Sequence, residues 1–321
     1  MKFTEFQSLV NENPKNITGI FAEDKFKNLW CVATEKLHGA NFSVYLFKDK
    51  GTIQIRFASR NQFIGIENQF FNFKRYFTEE KIKNLKDIAE NLITEEGLCI
   101  RFIGELFGGH DALNTKPVQK EILYDGDIQF KVFSVESYNL SDQEDIHYMD
   151  WLHVIHFCDD FDLKTVPIIN IDTLENLYKI DPTEQSALSS KENQIREGIC
   201  IRELYNEVGN PPLILKKRSP NFLENKGKLS SSKELSLDPK FLETFNKVLE
   251  MVTPQRVSNV NSHFGFTSIK EFASLQKSVM DDITKDSIKD YDIDLNFNDY
   301  KELKKVIGKR VSPLIKQELL K

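Results

Sequence analysis

The continuous apolar run Leu29-Trp30-Cys31-Val32-Ala33 is followed by alternation with the period of a strand through Phe42, Val44 and Leu46, and strand character continues up to Ala58. Three antiparallel strands are predicted there, with Lys48-Asp49-Lys50-Gly51 as the turn between the second and third and Ser59-Arg60-Asn61 closing the third. The period then lengthens. Ile82, Leu85, Ile88 and Leu92 recur at helical spacing behind a cluster of Phe70, Phe71, Phe73, Tyr76 and Phe77, so 67–95 reads as helix and its aromatic residues as core. Leu98 to Phe107 reads as a strand ending in Gly108-Gly109, and Ile128–Ser137 as another. A helix is predicted over Tyr148–Asp159, and strand character returns at Ile195–Glu203 and Leu213–Arg218. Residues 1–28, with Asn13-Pro14 as punctuation, carry no assignable pattern, and no internal repeat is found.

From Asn225 to Lys233 the chain is polar and aperiodic, which suits a linker. Asp238-Pro239 supplies an N-cap and a first-turn proline, and helical periodicity runs on to the end. The boundary falls near 228–236. It separates a β-rich α+β domain over residues 1–230 from a small all-helical domain over 236–321.

Composition narrows the class without naming it. The 321 residues are 40% hydrophobic and 29% charged, as in an ordinary soluble protein, and the net charge of -6 argues against indiscriminate coating of nucleic acid. A local basic groove stays open, because phosphate contacts depend on where the cations lie. No stretch is long and apolar enough for a membrane span, and the N-terminus lacks a secretory apolar region, so a cytoplasmic protein with no membrane partner is expected. Cys31, Cys99, Cys158 and Cys200 are scattered in apolar segments and read as reduced, buried thiols. His147, His153, His156, Cys158 and Asp159 are metal-ligand types, but they fall on an amphipathic pattern with Trp151, Leu152 and Ile155 and match no standard zinc spacing.

The candidate chemistry centres on Glu35-Lys36-Leu37-His38-Gly39-Ala40-Asn41-Phe42. Lys36 stands where one strand ends and a tight turn begins, and Gly39 permits the bend or a close backbone approach. Desolvation at such a strand end would lower the pKa of the amine and make it nucleophilic. Taken alone, the stretch reads better as a surface lysine in an ordinary hairpin. Four further charged positions share its setting at the end of an apolar strand: Arg60, Glu105, Glu197 and the basic set Lys216-Lys217-Arg218. Strand ends that converge on one cleft commonly build a site. An amine, cations, two carboxylates and an aromatic face at Phe133 together suit attack on the α-phosphorus of a nucleoside triphosphate. Bringing a lysine of ordinary pKa, about 10.4, to neutrality near pH 7 takes roughly 4 kcal/mol, and burial, a nearby metal and the charges of Lys216 and Arg218 would push that way.

Lys36-Leu37-His38-Gly39, Arg60, Ile103-Gly104-Glu105, Lys131-Val132-Phe133, Glu197-Gly198 and Leu215-Lys216-Lys217-Arg218 resemble, in order and spacing, the motifs of covalent nucleotidyltransferases. Histidine at 38, where DNA ligases and capping enzymes commonly have aspartate, makes the chain most similar to the RNA ligase 2 family of double-strand-specific nick-sealing enzymes. Val252-Thr253-Pro254-Gln255-Arg256-Val257-Ser258-Asn259-Val260 resembles the start of that family's helical C-terminal domain. The resemblance implies an α+β fold, a nucleotidyltransferase domain of ATP-grasp-like antiparallel sheets followed by a helical domain. It also implies ATP as AMP donor, Mg2+ or Mn2+ as metal, nicked duplex RNA or an RNA/DNA hybrid as partner, and a monomer.

By the same resemblance, Lys36 would carry AMP, Arg60 would contact the nucleotide phosphate, and His38 would assist catalysis or bind the 5′-phosphate. Glu35, Asn41 and Phe133 would line the nucleotide pocket, Glu105 and Glu197 would serve metal and ribose, and Lys216 and Arg218 the α-phosphate. Arg256 and Asp282 would serve RNA sealing. Two departures stand out: Arg218 replaces a lysine, which keeps charge but changes donor geometry, and Ala40 replaces a hydroxyl residue. A DNA ligase or GTP-using capping enzyme of the same superfamily is the alternative enzyme, and a catalytically inactive duplex-RNA-binding protein the alternative from another class.

Overall fold

Extended segments of Val, Ile, Phe and Tyr build two sheets. In the computed structural model, residues 1–321 are described except 5, 7–9, 12–13, 24–25, 27, 112–115, 207–209, 223–246, 292–297 and 321. The chain divides into two compact units, Met1–Pro220 and Asn221–Lys321. Asn13, the segment 225–233 and Asp238-Pro239 lie outside the described residues.

In the first unit a five-stranded sheet runs in the order β1 (Val10–Asn11), β11 (Ile214–Arg218), β10 (Gly198–Glu203), β2 (Trp30–Lys36), β9 (Ile168–Thr173). It is antiparallel apart from the β1 and β11 pair. A six-stranded antiparallel sheet runs β5 (Phe63–Ile64), β4 (Thr52–Ser59), β3 (Ala40–Asp49), β6 (Leu98–Gly108), β7 (Ile128–Asn139), β8 (Asp142–Tyr148). Helix α1 (Pro14–Ala22) and α4 (Leu174–Tyr178) cover one face of the first sheet, burying Ile20, Leu174 and Leu177 against Ala33, Ile199, Ile201 and Leu215. Its other face shares an apolar layer with the second sheet, where Ile214 and half-buried Cys200 meet Ile103, Phe6 and Phe133.

The far face of the second sheet carries the aromatic core. Phe42 is fully buried, with its ring centroid 5.2 to 6.1 Å from those of Phe57, Phe70, Phe73, Phe77 and Phe130. Each such side chain contributes about 2–3 kcal/mol through burial, and the tilted and edge-on ring pairs add to it. Helix α2 (Glu79–Leu92) closes this layer with Leu85 and Ala89 and starts at Thr78, whose side chain accepts from the Lys81 backbone.

Three expectations need correction. The strands between Leu29 and Ala58 are not one meander, since β2 pairs with β9 and β10 while β3 pairs with β4 and β6. Helix does not span 67–95: a 3-10 turn, Phe70–Arg75, precedes α2, and Phe71 and Asn72 there have φ of 41° and 52°, which helix cannot absorb. The helix expected from Tyr148 begins at Trp151, because the preceding residues form edge strand β8 and Asp150 caps α3 (Trp151–Asp160).

The second unit is helical in its described elements. Thr253 and Pro254 start α5 (Pro254–Ser262), and α6 (Phe272–Tyr291) and α7 (Asn298–Leu319) complete a core of Val257, Leu275, Val279, Ile283, Leu303, Ile307 and Ile315. No helix among the described residues is long and apolar enough to cross a membrane.

Candidate active site

Lys36 ends β2 in the first sheet and Ala40 begins β3 in the second, so three residues carry the chain from one sheet to the other. Gly39 makes the crossing possible: a β-carbon there would collide with the carbonyl oxygen of Leu106 on β6 and come within 2.9 Å of the Phe107 side chain.

Strand register fixes which side chains share the space between the sheets. Lys36, Gly198 and Arg218 stand level on one face of the first sheet, and Thr34, Cys200 and Lys216 form the next row. Lys217 faces the opposite way, donating to the carbonyls of Tyr178 and Ile180 at 2.8 and 2.9 Å. On the second sheet Asn41, Glu105 and Lys131 stand level. Ser59, the last residue of β4, pairs with Phe42, and Arg60 follows it in the turn after β4. Strand β7 has an extra residue between Val132 and Ser134, and that residue is Phe133. The bulge turns its half-buried ring into the inter-sheet layer, 5.5 Å from the ring of Phe6.

Lys36 Nζ lies 2.6 Å from Glu197 Oε1, and its side chain is 21% exposed. Burial pulls the pKa of this amine down, but Glu197 and Glu105 pull it up and prevail. The expectation of a lowered Lys36 pKa is therefore corrected. In the unliganded site the lysine is an ammonium, because the two carboxylates expected to serve the metal neutralise it instead. Burial pushes the Glu105 carboxyl up to about 7, whereas the cations Lys36 and His38 overcome burial at Glu197 and hold it well below the usual range.

His38 is 2% exposed, and both ring nitrogens are engaged. Nδ1 lies 3.2 Å from Glu197 Oε2 and Nε2 lies 3.0 Å from Glu121 Oε2. Burial opposes its charge, but hydrogen bonds to Glu121 and Glu197 raise it to about 9, so the ring is an imidazolium. Its backbone N–H donates to the Tyr124 hydroxyl at 2.8 Å, and the Gln119 side chain donates to the Gly39 carbonyl at 3.3 Å. Glu121, Tyr124 and Gln119 were missed by sequence reasoning. All three lie in an irregular connection between β6 and β7, where no hydrophobic period marks a position.

Glu35 faces the helix-covered side of the sheet, away from Lys36. Its carboxylate accepts from the Ser186 hydroxyl at 2.5 Å and the Ala187 backbone at 2.9 Å, while burial raises its pKa. Asn41 is 8% exposed, and its side-chain oxygen is buried with no hydrogen-bond donor among the described residues. In the second unit Arg256 donates to Asp282 at 2.7 Å and also to Asp286 at 3.0 Å, a partner not foreseen.

The site is thus a lysine at a seam between two sheets, in contact with one carboxylate and in the field of a second. Comparison with known proteins agrees. The family model described as RNA ligase matches residues 30–217, and that described as T4 RNA ligase 2 C-terminal matches 240–320. The chain belongs to the RNA ligase family, in its RNA ligase 2 type. It is similar to the mitochondrial RNA-editing ligase 2 of Trypanosoma brucei brucei, 28% identical over 128 residues, which cover 39% of this chain and 30% of that protein. Among solved structures it resembles a Naegleria gruberi RNA ligase variant with AMP and Mn, at a TM-score of 0.47 and 18% identity over 69% of this chain and 57% of that one. A second variant of that ligase, with ATP and Mn, matches at a TM-score of 0.47 and 20% identity over 69% and 58%.

Proposed function

We propose that the protein is an ATP-dependent RNA ligase that joins a 3′-hydroxyl to a 5′-phosphate at nicks in duplex RNA, acting as a monomer. The observation that carries this reading is the placement of Lys36 at the crossing between the sheets, in contact with Glu197 and in the field of Glu105, in a chain of this family. Three transfers follow. Lys36 Nζ, once deprotonated, attacks the α-phosphorus of ATP, forming a phosphoamide bond as the bond to pyrophosphate breaks. AMP then passes to the RNA 5′-phosphate, and finally the 3′-hydroxyl displaces AMP and closes the phosphodiester.

Lys216 and Arg218 share the face of Lys36 and would bind the phosphate oxygens, with Arg60 from the turn after β4 on the other sheet. Phe133 would stack on the base, and the undonated oxygen of Asn41 would accept from the nucleotide. The donor set fits a hydrated hard cation. Glu105 and Glu197 offer hard oxygen ligands, and water and phosphate oxygens would complete the shell. A dication held by these carboxylates would supply charge that offsets their pull on the Lys36 proton.

The test is a sealing assay with nicked RNA duplex, RNA/DNA hybrid and DNA duplex, each with ATP or GTP. The reading expects sealing of the RNA nick with ATP. Sealing of DNA alone, or use of GTP alone, would favour the DNA ligase or capping alternative, and duplex binding without any adenylylated product would favour an inactive binder.

A further inference from the structure

Four charged groups form an unbroken line of contacts: Glu121, His38, Glu197 and Lys36. Each Glu197 oxygen has a separate cationic partner, Oε1 the Lys36 amine and Oε2 the His38 ring. The plane of the carboxylate facing the nucleophile is therefore set by where the imidazole stands. Glu197 holds one nitrogen of that ring at 3.2 Å, and Glu121 holds the other at 3.0 Å. Glu121 is itself anchored, since its Oε2 also accepts from the Lys120 backbone at 3.0 Å.

We propose that Glu121 is a positioning residue for adenylyl transfer, fixing the His38 ring that sets the Glu197 carboxylate against Lys36. In this role it acts through the His38 ring that it holds. This rests on the adenylyltransferase reading, and the test separates the two.

Full-length wild type, Glu121→Ala, Glu121→Gln, His38→Asn and the double variant His38→Asn/Glu121→Ala are compared by the rate of protein–AMP formation and its dependence on ATP concentration. Glu121→Ala should lower the rate at saturating ATP by about 10- to 100-fold while the ATP KM stays within about twofold. Glu121→Gln, whose amide oxygen still accepts from Nε2–H, should recover most of the rate. In the His38→Asn background, loss of Glu121 should cost less than about twofold more, because the coupling runs through the ring. A wild-type rate in Glu121→Ala, a loss confined to KM, equal losses in Gln and Ala, or the same cost in both backgrounds would each overturn the proposal. Crystal structures of wild type and Glu121→Ala read the positioning directly. An imidazole moved off Glu197 in the variant supports it, and an unmoved ring overturns it, even in a protein that forms no adduct.

Discussion

Lys36 keeps its proton in the unliganded protein because two carboxylates outweigh the cost of burying a cation. The burden falls on Glu105, whose carboxyl burial pushes to about 7. A carboxyl whose folded pKa lies above its unfolded value stabilises the fold fully below about pH 4.5, and that contribution is lost as pH rises to about 7. Unliganded protein should therefore lose roughly 3 kcal/mol more stability over this window than Glu105→Gln does, read by urea unfolding at several pH values. Parallel curves for the two proteins would contradict it. At Gly39 the limit is steric: Gly39→Ala, pressed against the Leu106 carbonyl, should cost about 1–3 kcal/mol and slow adduct formation. Unchanged melting would contradict that close approach. Sequence exposed Lys36, Glu105 and Glu197 because each sits at the margin of an apolar run. It hid Glu121 and Tyr124, whose contacts with His38 span 83 and 86 residues and leave no local signal. The direction of the Lys36 shift was also illegible, since it depends on how close the carboxylates come.

The strand and helix periods were read well where one face is buried and the other is not. Strands β3, β4, β6, β10 and β11 all fall within runs whose apolar pattern is explicit. Partnership was less legible, because β2 and β3 have the pattern of a hairpin and only the steric squeeze at Gly39 shows that the chain changes sheets. Strands β8 and β9 lie at sheet edges and are largely exposed, so their polar residues disguised them. The phenylalanine cluster is the element that stiffens the second sheet behind Asn41 and Glu105. Phe73, fully buried between Phe42 and Phe57, should cost about 3–5 kcal/mol as Phe73→Ala in chemical denaturation. A cost under about 1 kcal/mol would mean the cluster does not brace the sheet.

At the scale of the whole chain, the first unit carries every residue assigned to adenylyl transfer and the second carries the Arg256 pair with Asp282 and Asp286. The two activities should separate accordingly. Arg256→Ala should leave protein–AMP formation within about twofold of wild type and lower nick sealing by about 10- to 100-fold, the range of a lost charge-assisted contact. Equal losses in both assays would contradict this division of labour. The helical character of the second unit was legible from its period, whereas the link between the units falls outside the described residues. The most direct test of the account is mass spectrometry of the protein after incubation with ATP and magnesium. The account predicts a gain of one AMP, mapped to the peptide containing Lys36 and absent in Lys36→Ala. An adduct that persists in Lys36→Ala, or that maps to another lysine, would contradict it.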